Sequence, residues 1–230
     1  MKTNKLAFAL LAAASCLMAV NVQAAYLIQV DTDGADDGPI SFPANFSFGN
    51  GGTTASTSSH SAAVGLAPGD SIFGGDGTPA DQYIFTYDLD VDGDNTPIAV
   101  GTPLNGAGDV AGGMAAGGSG RYKVYATWPF TSNVSGGDSN FALSDDLTNS
   151  LFNVDIDQNN GGAGSGNEWI LLGDVTLDAA RTYTLTQTAG DSSFVSQRIE
   201  GILFDRIPEP TTAVLAALSA LGVAAARRRR

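Results

Sequence analysis

Aspartate is the residue through which this chain could do most of its chemistry. Asp31-Thr32-Asp33-Gly34-Ala35-Asp36-Asp37-Gly38 places Asp31, Asp33 and Asp36 in a turn where carboxylates can converge on a hard cation. These three are read as a candidate structural calcium site. Asp88-Leu89-Asp90-Val91-Asp92-Gly93-Asp94 imitates the first half of a calcium loop, but Ala99 stands where the closing acid belongs. In a strand, residues two apart sit about 6.6 Å from each other, too far to chelate one ion at about 2.4 Å. The strand reading is preferred there. His60, the only histidine, lies in a Ser/Thr-rich loop and is read as an exposed loop residue, so no histidine-based triad is assigned. Carboxylate pairs of the kind that hydrolyse glycosides would have to come from turns and solvent faces, and no buried pair stands out. No catalytic residue and no cofactor follow, and the expectation is a non-enzyme. Among the aromatics, Trp128 and Trp169 have apolar strand neighbours and read as core. Phe130, Tyr26 and Phe46 fall at strand ends, where a ring could stack on a sugar.

These side chains need strands to hold them. In Tyr83-Ile84-Phe85-Thr86-Tyr87-Asp88-Leu89-Asp90-Val91-Asp92, the large apolar residues fall on one side and the polar ones on the other, with Ile84 the exception. Alternation recurs over Phe152 to Asp157 and over Tyr183 to Thr186. Arg121 to Trp128 is β-branched and aromatic, and Pro129 stops it. Trp169 to Val175, Ile199 to Asp205, Tyr26 to Val30 and Phe42 to Phe48 complete the expected set. Gly-rich turns separate them at Gly74 to Gly77, Gly112 to Gly120 and Gly161 to Gly166. No stretch in the body keeps helical spacing over three turns. Asn50 to Ala63 and Pro103 to Gly120 read as long loops, the first without any apolar side chain larger than alanine. The expectation is an all-β fold: one β-sandwich of jelly-roll type over residues 25–206.

Both ends of the chain look like addresses. Lys2 and Lys5 precede the apolar Leu6 to Val20, and Val22-Gln23-Ala24 offers small residues for a signal peptidase. Residues 1–24 are therefore read as a secretory signal peptide, cut between Ala24 and Ala25. Cys16, the only cysteine, lies within it, so the exported product would hold no disulfide. At the other end, Pro208-Glu209-Pro210 precedes an apolar run and four arginines, Arg227, Arg228, Arg229 and Arg230. As a helix, Ala213 to Ala226 would rise only about 21 Å, short of a hydrocarbon core of about 30 Å. The basic cluster would keep the terminus on the cytoplasmic side. This tail, residues 207–230, resembles that of bacterial PEP-CTERM proteins. The resemblance implies transient insertion of the apolar sorting helix in the membrane and removal by an exosortase. The cell surface or extracellular matrix would be the destination. Residues 25–210 carry five basic and 24 acidic residues, a net of −19, which repels nucleic acid and anionic lipid. Neutral polysaccharide remains a compatible partner.

The body carries a second resemblance. Gly120 to Pro129, Val154-Asp155-Ile156-Asp157-Gln158, Glu168-Trp169-Ile170-Leu171-Leu172-Gly173, Arg181 to Thr188 and Gly201 to Asp205 are similar to the successive strands of golvesin-type domains. Those modules are akin to the carbohydrate-binding-like region of xanthan lyases. Two stretches depart from that pattern. Glu168 stands where the family has glycine, and the closing strand reads Gln197-Arg198-Ile199-Glu200-Gly201. The resemblance implies a non-catalytic, polysaccharide-binding sandwich. A structural matrix or adhesion protein is the alternative, and a glycan hydrolase the third class.

Overall fold

The computed structural model describes residues 25–32, 40–49, 54–56, 60–74, 82–88, 104, 118–130, 138–158, 166–189 and 197–207. Among them are twelve strands and no helix: β1 (Tyr26–Gln29), β2 (Phe46–Phe48), β3 (Thr54–Ser56), β4 (Ser71–Phe73), β5 (Gln82–Asp88), β6 (Gly120–Thr127), β7 (Asp138–Asp145), β8 (Ser150–Asp157), β9 (Ile170–Leu177), β10 (Thr182–Ala189), β11 (Arg198–Ile199) and β12 (Gly201–Ile207). They form three sheets, ordered β1-β12-β6-β9, β2-β5-β10-β7-β8 and β11-β4-β3, with every pairing antiparallel. The segments expected to be an export signal and a sorting tail lie outside the described residues, apart from Ile207.

The alternation read from the sequence is what closes the sandwich. In β5, Tyr83, Phe85 and Tyr87 are buried while Gln82, Ile84, Thr86 and Asp88 are half-buried. The inward rings meet those of the four-stranded sheet: Tyr87 stacks on Phe204 at 4.2 Å and on Tyr26 at 4.6 Å, and Trp128 stacks on Phe141 at 6.2 Å. Each such side chain contributes about 1.5–3 kcal/mol by burial, and a ring pair about 0.5–1.5 kcal/mol more. The described residues are thus an all-β structure whose sheets pack face to face.

The β1-β12-β6-β9 sheet, sheet one, differs from a half-buried sheet in having both faces covered. Its outer face carries a second cluster of Ala25, Leu27, Tyr125, Trp169 and Leu203, capped by Ala63 and Leu104. Leu104 is fully buried, although it belongs to a stretch expected to form a long loop. The other expected loop, Asn50 to Ala63, contains β3 and ends in the segment that lies across this cluster. One apolar anchor, Ala63 or Leu104, is enough to fasten a segment when the surface beneath it is already greasy.

A bulge sets the free edge of the same sheet. The register of β6 with β9 shifts between Val124 and Tyr125, which face Gly173 and Leu171. Leu172 turns into the core and Leu171 is left exposed. A methyl group on Gly173 would come within 2.6 Å of the Phe152 ring, so glycine is what lets β8 lie against β9.

Candidate functional site

One end of sheet one gathers polar groups from four elements. It is the end where β1 and β6 finish and β12 begins, since Gln29 and Thr127 both pair with Gly201. Glu200 sits there, fully buried, between β11 and β12. Its backbone N–H donates to the Thr127 carbonyl, and its own carbonyl accepts from Val30. The carboxylate is gripped by the strap of residues 60–67. Ser61 N–H donates to Oε2 at 2.5 Å, and His60 Nδ1 lies 2.6 Å from Oε1. Ser61 Oγ is 2.7 Å from Thr127 Oγ1 and accepts the Ala63 N–H. A buried carboxylate is tolerated when donors surround it, which is the task of this strap.

The turn before β9 completes the rim. Asn167 takes a left-handed conformation (φ 60°), and its Oδ1 accepts N–H groups from Ala62 at 3.3 Å and Phe130 at 3.1 Å. Its own N–H donates to the Trp128 carbonyl. Gly166 precedes it at φ 137°, and a Cβ there would lie 2.9 Å from Phe130 backbone atoms. The backbone that carries Phe130 is therefore fixed from two sides, while the side chain is 55% exposed. Among the described residues it shares the largest exposure of any big apolar side chain with Leu147.

The sequence-derived sites divide as follows. Asp31 also lies at this end, just beyond β1, and is buried. Its Oδ1 accepts Ser41 N–H at 2.9 Å and its Oδ2 accepts Asp70 N–H at 3.1 Å. Asp33 and Asp36 lie outside the described residues, among which no three His, Cys, Asp or Glu side chains form a metal-binding group. Trp128 and Trp169 are both core residues, as expected, and the Trp169 indole N–H reaches the Val64 carbonyl. Tyr26 and Phe46 do not offer free stacking faces. Both are buried, Tyr26 against Tyr87 and Phe46 among Phe42, Phe48 and Phe85. Phe130 alone of those three stays open to solvent. His60 is an exposed loop residue whose Nδ1 is held by Glu200. Glu200 itself was visible in the sequence only as part of a departure from the golvesin-type pattern.

Among solved structures, this fold is similar to part of a xanthan lyase from Paenibacillus. At 14% identity and a TM-score of 0.52, the two match over 81% of this chain and 13% of the lyase. The chain shares its fold with a part of that enzyme. An exo-β-1,3-galactanase from Phanerochaete chrysosporium with β-1,3-galactotriose matches at 16% identity and a TM-score of 0.37, over 80% of this chain and 30% of that one. A family 35 carbohydrate-binding module from Clostridium thermocellum matches at 15% identity and a TM-score of 0.36, over 70% and 92% of the respective chains. No protein-family model matches the chain, and no curated protein does.

Proposed function

We propose that this chain is an exported, non-catalytic, polysaccharide-binding sandwich of jelly-roll type, whose glycan rests on the rim formed by Phe130, His60 and Asn167. The observation that carries the reading is the exposed Phe130 ring on a backbone fixed by Asn167 and Gly166. A rigid aromatic face beside hydrogen-bonding groups suits a sugar ring, which presents C–H groups on its faces and hydroxyls at its edge. His60, whose side chain is 35% exposed, would supply the polar contact from its Nε2 edge. The jelly-roll assignment is supported by strand order: β1, β6, β9 and β12 fill one sheet as β1-β12-β6-β9, and β2, β5, β7, β8 and β10 fill the other as β2-β5-β10-β7-β8. Export by the N-terminal signal and release of the PEP-CTERM tail by exosortase belong to the same proposal, as does calcium at Asp31, Asp33 and Asp36.

The test is co-sedimentation of the exported protein with insoluble matrix from the producing organism, at low and moderate salt, with and without calcium. Weak binding is expected, since a Kd of about 1 mM corresponds to only about 4 kcal/mol. Phe130→Ala should abolish retention without loss of fold. A purely structural matrix role is the second reading. It is favoured by the way Glu200, Asp31 and the Asn167 carbonyl are spent on the protein's own N–H groups. Surface retention without sedimentation on polysaccharide would select it. Glycan turnover that disappears on changing one carboxylate would instead show a hydrolase.

A further inference from the structure

Asp205 is a fully buried carboxylate that the rim does not use. It lies near the end of β12, on the outer face of sheet one, because Phe204 belongs to the inner core and Leu203 to the outer cluster. β1 runs antiparallel beside it, with Tyr26 opposite Phe204 and Leu27 opposite Leu203. One further step in that register sets Ala25 opposite Asp205, and Ala25 is itself buried. Among the described residues, the charged groups facing this place come from β6 and β9. Lys123 is opposite Asp205, and Asp174 is opposite Lys123 and held by Arg121 at 2.6 Å. The Tyr125 phenol adjoins them and is pushed up to about 12, first by burial and then by the charges of Asp205 and Asp174.

We propose that the α-ammonium created by cutting between Ala24 and Ala25 becomes a counter-ion of Asp205, so that removing the export signal adds an ion pair to the fold. This rests on the export reading. In the uncut chain the Ala25 nitrogen is a neutral amide. After the cut it is an ammonium with three donors, at the head of β1 and roughly 5 Å across the ladder from the Asp205 backbone. Burial of Ala25 also orders the events: the peptidase must reach the bond before β1 docks on β12. Pairing raises the amine above its ordinary range of about 7.7–8.0. The added stability is then fully present below about pH 8 and is lost as pH rises through the raised value.

The test compares the full-length gene with one carrying Gly-Ser inserted between Ala24 and Ala25, both exported by the same cells. N-terminal peptide mapping first locates the cut. The midpoint of the pH profile for labelling the α-amine is then read by mass spectrometry, along with Tm between pH 6 and 10. We expect a midpoint about one unit higher in the native form, a tenfold difference in the protonated fraction, and a Tm advantage below pH 8 that closes by about pH 10. Asp205→Asn should return the native midpoint to the ordinary range. Where that variant does not fold, the insertion decides alone, since it leaves every side chain in place. Equal midpoints in the native and inserted forms overturn the pairing. A mature chain that starts elsewhere overturns the pairing but leaves export standing, whereas retention of Met1 overturns export as well.

Discussion

Glu200 draws its donors from a strap that is 139 residues away in sequence at Ser61, so its stability depends on tertiary contacts that no local pattern announces. Removing His60 would leave one carboxylate oxygen without its imidazole partner in a fully buried setting. His60→Ala should therefore lower unfolding free energy by about 1–3 kcal/mol in urea titration, and by less in a Glu200→Gln background. An equal cost in both backgrounds would show that the pair is not coupled. Tyr125 gives a pH signature at the same scale. Its phenol is raised to about 12 by burial, then by Asp205 and Asp174, while the unfolded chain ionises near 10. The raised group contributes stability that is full below pH 10 and is lost as pH climbs toward 12. Tyr125→Phe should flatten that alkaline decline in thermal melts, and a profile identical to the parent's would refute the assignment. Phe130 differs from both in being exposed, so its replacement should change binding and not stability.

At the scale of elements, the turn that ends in Asn167 is the piece on which the rim depends. Gly166→Ala would add a Cβ at φ 137° within 2.9 Å of Phe130 backbone atoms, and strain of this kind costs about 1–3 kcal/mol. Loss of matrix retention should accompany the lower melting temperature, because the same shift releases Phe130. The acidic turn after β1 has its own test. Calcium at 100 times its Kd would add about 2.7 kcal/mol, whereas general screening would be matched by NaCl at equal ionic strength. Equal Tm shifts from the two salts, or an unaltered calcium shift in Asp33→Ala, would leave a solvated turn. Legibility from sequence followed the side-chain pattern. β5, β6, β8, β9, β10 and β12 were readable because large residues alternate or cluster in them. β7 was not, since Asp138 to Asp145 offers only Phe141 and Leu143 as large inward groups and also points Ser139 inward, where Gln158 accepts its hydroxyl. β3 and β4 are three residues each, too short for periodicity to register. Phe130 was legible as a ring beyond a strand-stopping proline. The Glu200–His60 pair was not, because its two halves meet only once the strap crosses the end of sheet one.

The sandwich has two distinct poles, and the described residues that adjoin the two proposed address segments, Ala25 and Ile207, lie at the same one. β1 and β12 are antiparallel neighbours, so the residue after the proposed cut, Ala25, and the last strand residue, Ile207, lie together. Thr176, Arg121 and Ile207 form one row across the ladders at that end. The rim lies at the other, beyond Gly201, Thr127 and Gln29, and the six steps from Gly201 to Ile207 span about 20 Å. While the sorting tail still holds the chain at the membrane, this geometry would point Phe130 and His60 away from the bilayer and toward the matrix. If the signal is cut as proposed, Cys16, the only cysteine, leaves with it, so a single introduced thiol reports position cleanly. In cells that lack exosortase and retain the tail, Ala62→Cys at the rim should react with a bulky, impermeant maleimide several times faster than Thr176→Cys beside the tail. Both positions are solvent-exposed, so the contrast would come from the nearby membrane and not from the fold. After the tail is removed the two rates should converge. Rates that are equal while the tail is attached would mean that the body lies flat or tumbles freely at the surface. Polysaccharide would then have to be met from the side, and the rim would lose the orientation argument for being its docking place.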